Sequence, residues 1–157
     1  DKTELIYKLT HSDSVYFLSV LTWYLQTSSW ESVDLVLETS VTIGLLASNV
    51  LMVNNYRDME DDAAVGKRTT VVIFGRRFIS TVYLLSGFIG MAIMTPVFLQ
   101  FPVWALVIPL LYLILHIKTW GRLKQSSGSA INPLLGRTAI NLLIFALFFA
   151  SICLYCS

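Results

Sequence analysis

Five apolar segments, separated by more polar connections, constrain this chain more than any other feature. They run from Ser14 to Thr27, Val33 to Asn54, Phe78 to Gln100, Pro102 to Trp120 and Thr138 to Tyr155. A helix that crosses a bilayer needs about 20 apolar residues, with a range of about 17 to 25. The second and third segments meet that length easily, the fourth and fifth meet it marginally, and the first is short and reads as a tilted or incomplete span. Composition agrees. Of the 157 residues, 55% are hydrophobic and 13% charged, with mean hydropathy +0.69. A soluble domain carries about 25% charged residues and could not bury this much apolar surface. The expected fold is an all-α integral membrane protein with five transmembrane helices, in one membrane domain spanning residues 1–157.

Charge placement tests this division. The 11 basic residues fall in three groups: Lys2 and Lys8; Arg57, Lys67, Arg68, Arg76 and Arg77; and Lys118, Arg122, Lys124 and Arg137. The groups precede the first segment, lie between the second and third, and lie between the fourth and fifth. With five spans, all of them are on one side of the membrane, as expected of cytoplasmic loops. The C-terminus is then outside. Net charge is +1, which offers no electrostatic case for nucleic acid. The N-terminal stretch DKTELIYKLTHSDS does not read as a signal peptide. Cys153 and Cys156 read as ordinary membrane-helix cysteines, with no neighbouring ligand in sequence for a metal. Gly87 and Gly90 lie one turn apart and suit close helix approach. Trp23, Trp30, Trp104 and Trp120 sit near segment ends, as interfacial aromatics do. His116 and Lys118 fall near the cytoplasmic end of the fourth segment, so His116 reads as an interfacial histidine. Glu38 near the outer end of the second segment is placed to snorkel to water, and Arg137 and Asn141 open the last segment.

The carboxylates are concentrated at one point. NNYRDMEDD, Asn54 to Asp62, holds four acidic residues and an arginine and is followed by AAVGKRTT. If the second helix continues, Asn54, Asp58 and Asp62 advance only about 40° per step and form a stripe. Asp61 falls on the same face, and Glu60 points away into solvent. Clustered carboxylates repel, and a divalent cation relieves that. Mg²⁺ takes oxygen ligands and is usually held by one or two carboxylates together with phosphate oxygens. Arg57, Lys67 and Arg68 are placed to hold the other oxygens of a diphosphate. Gly66 is a point where backbone amides could approach an anion. A solvated loop of mixed charge would show the same residue types, and the spacing alone leaves both readings open.

NNYRDMEDDAAVGKRTTVVIFG resembles the second aspartate-rich motif of the UbiA-type membrane prenyltransferases. Within that family it is most similar to the branch acting on 1,4-dihydroxy-2-naphthoate in menaquinone synthesis. The matching positions are Asn54, Asn55, Arg57, Asp58, Asp62, Gly66, Lys67, Arg68, Thr69 and Gly75. WYLQ, Trp23 to Gln26, and the helix LLASNVLMVNN also look like that branch. The resemblance implies a nine-helix bundle around a central cavity, in a bacterial inner membrane. It implies a polyprenyl diphosphate bound through Mg²⁺, and an aromatic acceptor attacking the prenyl carbon. By position, Asn54, Asp58 and Asp62 would serve the metal, with Asp58 and Asp62 as the catalytic pair. Asn54, Asn55, Arg57, Lys67 and Arg68 would bind diphosphate. The acceptor would be dihydroxynaphthoate.

One part of the family pattern is missing. Only 53 residues precede the motif, and none carries the first aspartate-rich motif, N-D-x-x-D. The chain therefore reads as the C-terminal half of such an enzyme, with a separate first half as a possible partner. Little prenyl transfer is expected from it alone. Alternatives are another acceptor (4-hydroxybenzoate, homogentisate, haem or a chlorophyll precursor) or a non-catalytic membrane protein whose charged loop binds a partner or anionic lipid. A carrier would be expected to hold its acids deeper in the spans.

Overall fold

The computed structural model describes residues 33–156. The segment Ser14 to Thr27, with WYLQ, Trp23 and Trp30, lies outside the described residues. Within them the chain is helical and no strand occurs. Helix α1 runs Val33–Arg57, the short α2 Met59–Ala64, α3 Thr70–Phe98, α4 Val107–Leu123 and α5 Asn132–Cys156. Turns of 3-10 helix, Val103–Leu106 and Gly128–Ile131, lead into α4 and α5. Four helical stretches are long and apolar enough to cross a membrane: Val33–Arg57, Thr70–Phe98, Val103–Leu123 and Gly128–Tyr155. They coincide with the second to fifth apolar segments. Two helices begin before their apolar stretches, α3 at Thr70 rather than Phe78 and α5 at Asn132 rather than Thr138, and α1 runs on past Asn54 to Arg57. In α3 the added residues form a short first turn, Thr70 to Phe74, set off from the span by the non-helical Gly75; in α5 the added turn carries polar residues whose backbone bonds continue the helix at its water-facing end.

The spans form a closed ring in which α1 packs on α3 and α5, and α4 packs on the same two helices. Two apolar clusters fill its interior. One joins Leu46 of α1, Met91 to Phe98 of α3, Ile108 and Tyr112 of α4, and Phe145 to Ile152 of α5. The other joins Val53 and Tyr56, Val71 to Tyr83, Leu123, and Ile131 with Leu134. Successive spans are thus antiparallel. All described lysines and arginines fall on the part of each helix nearest the second cluster or in the adjoining connections, which agrees with the one-sided charge pattern in the sequence.

Between the clusters lies a polar layer to which every span contributes. It consists of Asn49 from α1, Ser86 from α3, His116 and Thr119 from α4, and Thr138 and Asn141 from α5, all buried. Ser86 Oγ lies 2.6 Å from Asn49 Oδ1, and Asn141 Nδ2 donates to Thr119 Oγ1 at 3.2 Å. Tyr83 Oη and Thr138 Oγ1 are 3.3 Å apart, and Thr138 Oγ1 donates to the Leu134 carbonyl at 2.9 Å. One hydroxyl proton cannot serve both bonds, so Tyr83 donates to Thr138.

His116 belongs to this layer, which corrects its reading as an interfacial residue: it is 1% exposed. Its ring stacks on Tyr83 at 4.5 Å and on Tyr112 at 5.5 Å. Its Nε2 lies 2.9 Å from the Tyr83 carbonyl, so Nε2 carries the proton and donates. Nδ1 is then the acceptor that faces the Tyr112 hydroxyl at 3.4 Å. The sequence places His116 near a helix end, but its neighbours decide its environment. Gly87 of α3 has no Cβ to keep the imidazole off the helix backbone. Gly90 receives α1 instead: Thr42 Oγ1 donates to its carbonyl at 3.2 Å, beside Leu46. The two glycines therefore admit two different helices.

Both tryptophans in the described part lie at the ends of α4, as expected. Trp104 sits in the 3-10 turn before it, half exposed against Tyr155 at 6.2 Å. Trp120 lies in its last turn, with the Lys124 ammonium 4.5 Å from its ring centre.

Candidate functional site

The acidic segment forms the junction between α1 and α3. Helix α1 ends at Arg57, and Asp58, at φ −89° and ψ 10°, departs from helical geometry before α2 begins. The backbone ladder nevertheless crosses the bend. The Asp58 amide donates to the Asn54 carbonyl at 3.1 Å, and the Asp62 amide to the Asp58 carbonyl at 2.8 Å. The i, i+4 stripe of Asn54, Asp58 and Asp62 thus survives as a bent one.

Helix α2 ends in a Schellman motif. The Gly66 amide bonds to the Ala63 carbonyl at 3.1 Å and the Lys67 amide to the Asp62 carbonyl at 2.8 Å. Gly66 has φ 72°, the left-handed conformation this ending needs. The expectation that amides here approach an anion is thereby corrected, since both already serve carbonyls. What the glycine supplies is a reversal that brings Lys67 back over Asp62.

The predicted residues gather in two groups. In the first, the Arg57 guanidinium bridges three side chains. It donates to Asp58 through Nε at 2.6 Å and Nη2 at 2.8 Å, to Asn54 Oδ1 through Nη2 at 2.9 Å, and to Asn132 Oδ1 through Nη1 at 3.0 Å. The hydrogen bonds from Arg57 are the main cause holding the Asp58 carboxyl below the usual carboxylate range. In the second group, Asp62 is 7% exposed and its Oδ1 accepts from Lys67 Nζ at 3.0 Å. Its Oδ2 is buried without a hydrogen-bond partner among the described residues. A carboxylate oxygen left this way costs desolvation energy that nothing in the described structure returns.

The remaining candidates lie apart. Asn55 faces a different side and lines an apolar cleft of about 210 Å³ with Ser48, Leu51, Thr70 and Phe78. Arg68 is exposed and makes no ion pair among the described residues. Asp61 is exposed rather than gathered with Asp58 and Asp62, because the bend at Asp58 breaks the regular advance that would align it. Glu60, expected to be solvated and unengaged, is exposed but pairs with Arg76 Nη2 at 2.7 Å. Arg137 is exposed, while Asn141 is buried in the polar layer.

The sequence reading missed two residues. Asn132 reaches Arg57 from the start of α5, and Arg76 reaches Glu60 from α3. The N-P pair Asn132–Pro133 marks a helix start, yet nothing in sequence joins it to a motif 75 positions earlier.

Mg²⁺ fits these residues. It needs one or two carboxylates from protein when phosphates complete its shell. Asp58 and Asp62 are carboxylates of the kind it takes; both oxygens of Asp58 accept from Arg57, and Oδ2 of Asp62 is buried without a described partner, the oxygen such an ion would take. Among the described residues no three His, Cys, Asp or Glu side chains are grouped to hold a metal by themselves. The donor set therefore suits a metal that arrives with its own anionic oxygens.

Comparison with known proteins bears on this geometry. The pattern of the UbiA prenyltransferase family matches residues 14–138. Over 54 residues the chain is 48% identical to a 1,4-dihydroxy-2-naphthoate octaprenyltransferase of Haemophilus influenzae. That alignment covers 34% of this chain and 17% of the relative. No solved structure matches.

Proposed function

The chain belongs to the UbiA prenyltransferase family, and on that premise we propose that its acidic segment is one wall of a Mg²⁺–diphosphate site for prenyl transfer to an aromatic acceptor. The observation that carries this reading is Asp62: a buried carboxylate with Lys67 on one oxygen and no described partner on the other.

Mg²⁺, when bound, neutralises diphosphate oxygens and so eases departure of the diphosphate from the prenyl carbon. The chain's own residues prepare for that charge. Lys67 keeps Asp62 neutralised before the ligand arrives, and its ammonium, more than half exposed, is free to swing to a phosphate oxygen. The Arg57 fork holds Asp58 ionised and oriented, so this carboxylate needs no proton loss on binding. Arg68, exposed at the same end, offers a second cation to the leaving group.

The finer assignments belong to the same proposal. The donor is a polyprenyl diphosphate. The acceptor is 1,4-dihydroxy-2-naphthoate, supported by the N-N-x-R-D order at Asn54 to Asp58 and by the likeness to the Haemophilus octaprenyltransferase. The basic end of the bundle, with the acidic segment, faces the cytoplasm of a bacterial plasma membrane.

The test is calorimetric titration of Mg²⁺ with inorganic diphosphate into the purified chain in detergent. The wild type should bind, and Asp62→Asn should weaken binding at least about tenfold, a loss of about 1.4 kcal/mol. Equal heats from the wild type and a chain carrying both Asp58→Asn and Asp62→Asn would sink the reading.

A further inference from the structure

We infer that Arg76 is a positioning residue: it braces the bend at Asp58 and so sets the distance between the two groups of the acidic segment. The inference rests on the reading above only for what those groups bind.

Three observations carry it. First, Arg76 touches the acidic segment on both sides of the bend. Its guanidinium lies over the ring of Tyr56, 5.3 Å from the centre, two residues before Asp58. Its Nη2 donates to Glu60 Oε2 at 2.7 Å, two residues after Asp58. One rigid, planar cation thus ties the last turn of α1 to the first turn of α2. Tyr56 is 4% exposed and anchored in the apolar cluster, so the tie has a fixed end.

Second, the backbone is shaped to deliver this side chain. Gly75, directly before Arg76, has φ 82° and ψ 164° inside an otherwise helical run. That region is essentially confined to glycine. A Cβ there would meet nothing within 4 Å, so space does not demand a glycine. What Gly75 contributes is the break that lets α3 start as one short turn and resume with Arg76 against α1 and α2.

Third, stability alone is a poor account of the pair. The Glu60 side chain is 67% exposed, and exposed ion pairs contribute little. Arg76 Nε is meanwhile buried with no hydrogen-bond partner among the described residues. The arrangement gives up hydration of one nitrogen in order to hold a geometry. What that geometry separates is the Asn54–Arg57–Asp58 group on one side of the bend and the Asp62–Lys67 pair on the other. A ligand touching both groups would feel any change in the angle.

The experiment uses the full chain in nanodiscs, as wild type, Glu60→Gln, Arg76→Gln, Arg76→Lys and the exchange Glu60→Arg with Arg76→Glu. Hydrogen exchange is followed at the Asp58 and Asp62 amides, whose bonds to Asn54 and Asp58 span the bend. Binding of Mg²⁺ with inorganic diphosphate is titrated in parallel. Glu60→Gln and Arg76→Gln should speed exchange over residues 58–66 several-fold while leaving α4 and α5 protected, and should weaken diphosphate binding by about two- to five-fold. Arg76→Lys should recover part of both, and so should the exchange pair. Unchanged exchange in both single variants would overturn the brace, and faster exchange with wild-type binding intact and unaltered in the variants would overturn its role in setting the distance between the two groups. If exchange responds but the wild type binds no diphosphate, the brace stands and the proposed function falls. Glu60 is exposed, so its variant keeps the test alive if Arg76→Gln fails to fold.

Discussion

Gly87 and His116 compete for the same space: a Cβ on Gly87 would lie 2.4 Å from both Cδ2 and Nε2 of the imidazole. The ring cannot retreat, being stacked on Tyr83 and bonded to the Tyr83 carbonyl. Gly87→Ala should therefore part α3 from α4 and destabilise the bundle by about 1–3 kcal/mol. Unfolding in mixed detergent micelles measures this. The same substitution in a His116→Ala background should cost clearly less, because the ring it strikes is gone. Equal costs in the two backgrounds would disprove the steric account.

Ser86 and Asn49 make a buried contact that the bundle cannot lose by halves. Ser86 Oγ has one proton and two acceptors within reach, Asn49 Oδ1 at 2.6 Å and the Tyr83 carbonyl at 2.7 Å. Asn49 Nδ2 has no partner among the described residues. Ser86→Ala should cost about 1–3 kcal/mol by leaving Asn49 Oδ1 without its donor. Adding Asn49→Leu to Ser86→Ala should return much of that loss, since no orphaned polar group would remain. A double-mutant cycle in the same unfolding assay reads the coupling, and additive costs would refute it.

Lys67→Met should act in opposite directions on two ligands. It removes the cation from Asp62 Oδ1 and leaves a buried carboxylate without a countercharge. Affinity for Mg²⁺ alone should rise, because the metal no longer displaces an ammonium, while affinity for the Mg²⁺–diphosphate pair should fall several-fold. Titrations with and without diphosphate separate these effects. A fall in both would show that Lys67 only maintains the fold of the segment.

Gly75→Ala tests the backbone at the start of α3. Its φ of 82° is strained for any residue with a Cβ, whatever the surrounding space. The expected loss is about 1–3 kcal/mol, together with faster exchange over residues 58–66 as Arg76 leaves Glu60. An alanine variant with wild-type stability and exchange would mean that the break is not required.

Asp58 gives a pH dependence whose sign is fixed. Its folded pKa is depressed, chiefly by the hydrogen bonds from Arg57. The contribution of this pair is thus fully present above the ordinary carboxylate value, near 3.8, and is lost as pH falls through the lower folded value. Between pH 5 and 8 the Asp58 carboxyl carbon should show no titration by NMR; its midpoint should move up toward 3.8 in Arg57→Gln. A midpoint above 5 in the wild type would refute the assignment.

The sequence by itself determined the four described spans, the gathering of the described basic residues at one end of the bundle, and the family. Those properties are local. A run of apolar residues such as Val33 to Val53 must leave water wherever it sits, and the order N-N-x-R-D…G-K-R-T is written along one stretch of chain. Regular helical spacing also placed Asn54, Asp58 and Asp62 on one stripe, and it failed at Asp61, where the bend at Asp58 intervenes. Only the tertiary structure decided which side chains meet. Arg57 with Asn132, Arg76 with Tyr56 and Glu60, and the layer joining Asn49, Ser86, His116 and Thr138 all combine residues from different helices. Hydropathy cannot foresee such pairs, because in a bundle closed by apolar packing the register is fixed by where buried polar groups find partners. His116 shows the difference most directly. Counted along the chain it lies near the end of a span, yet the missing Cβ of Gly87 opens a path to the Tyr83 carbonyl, and the imidazole is drawn into the core.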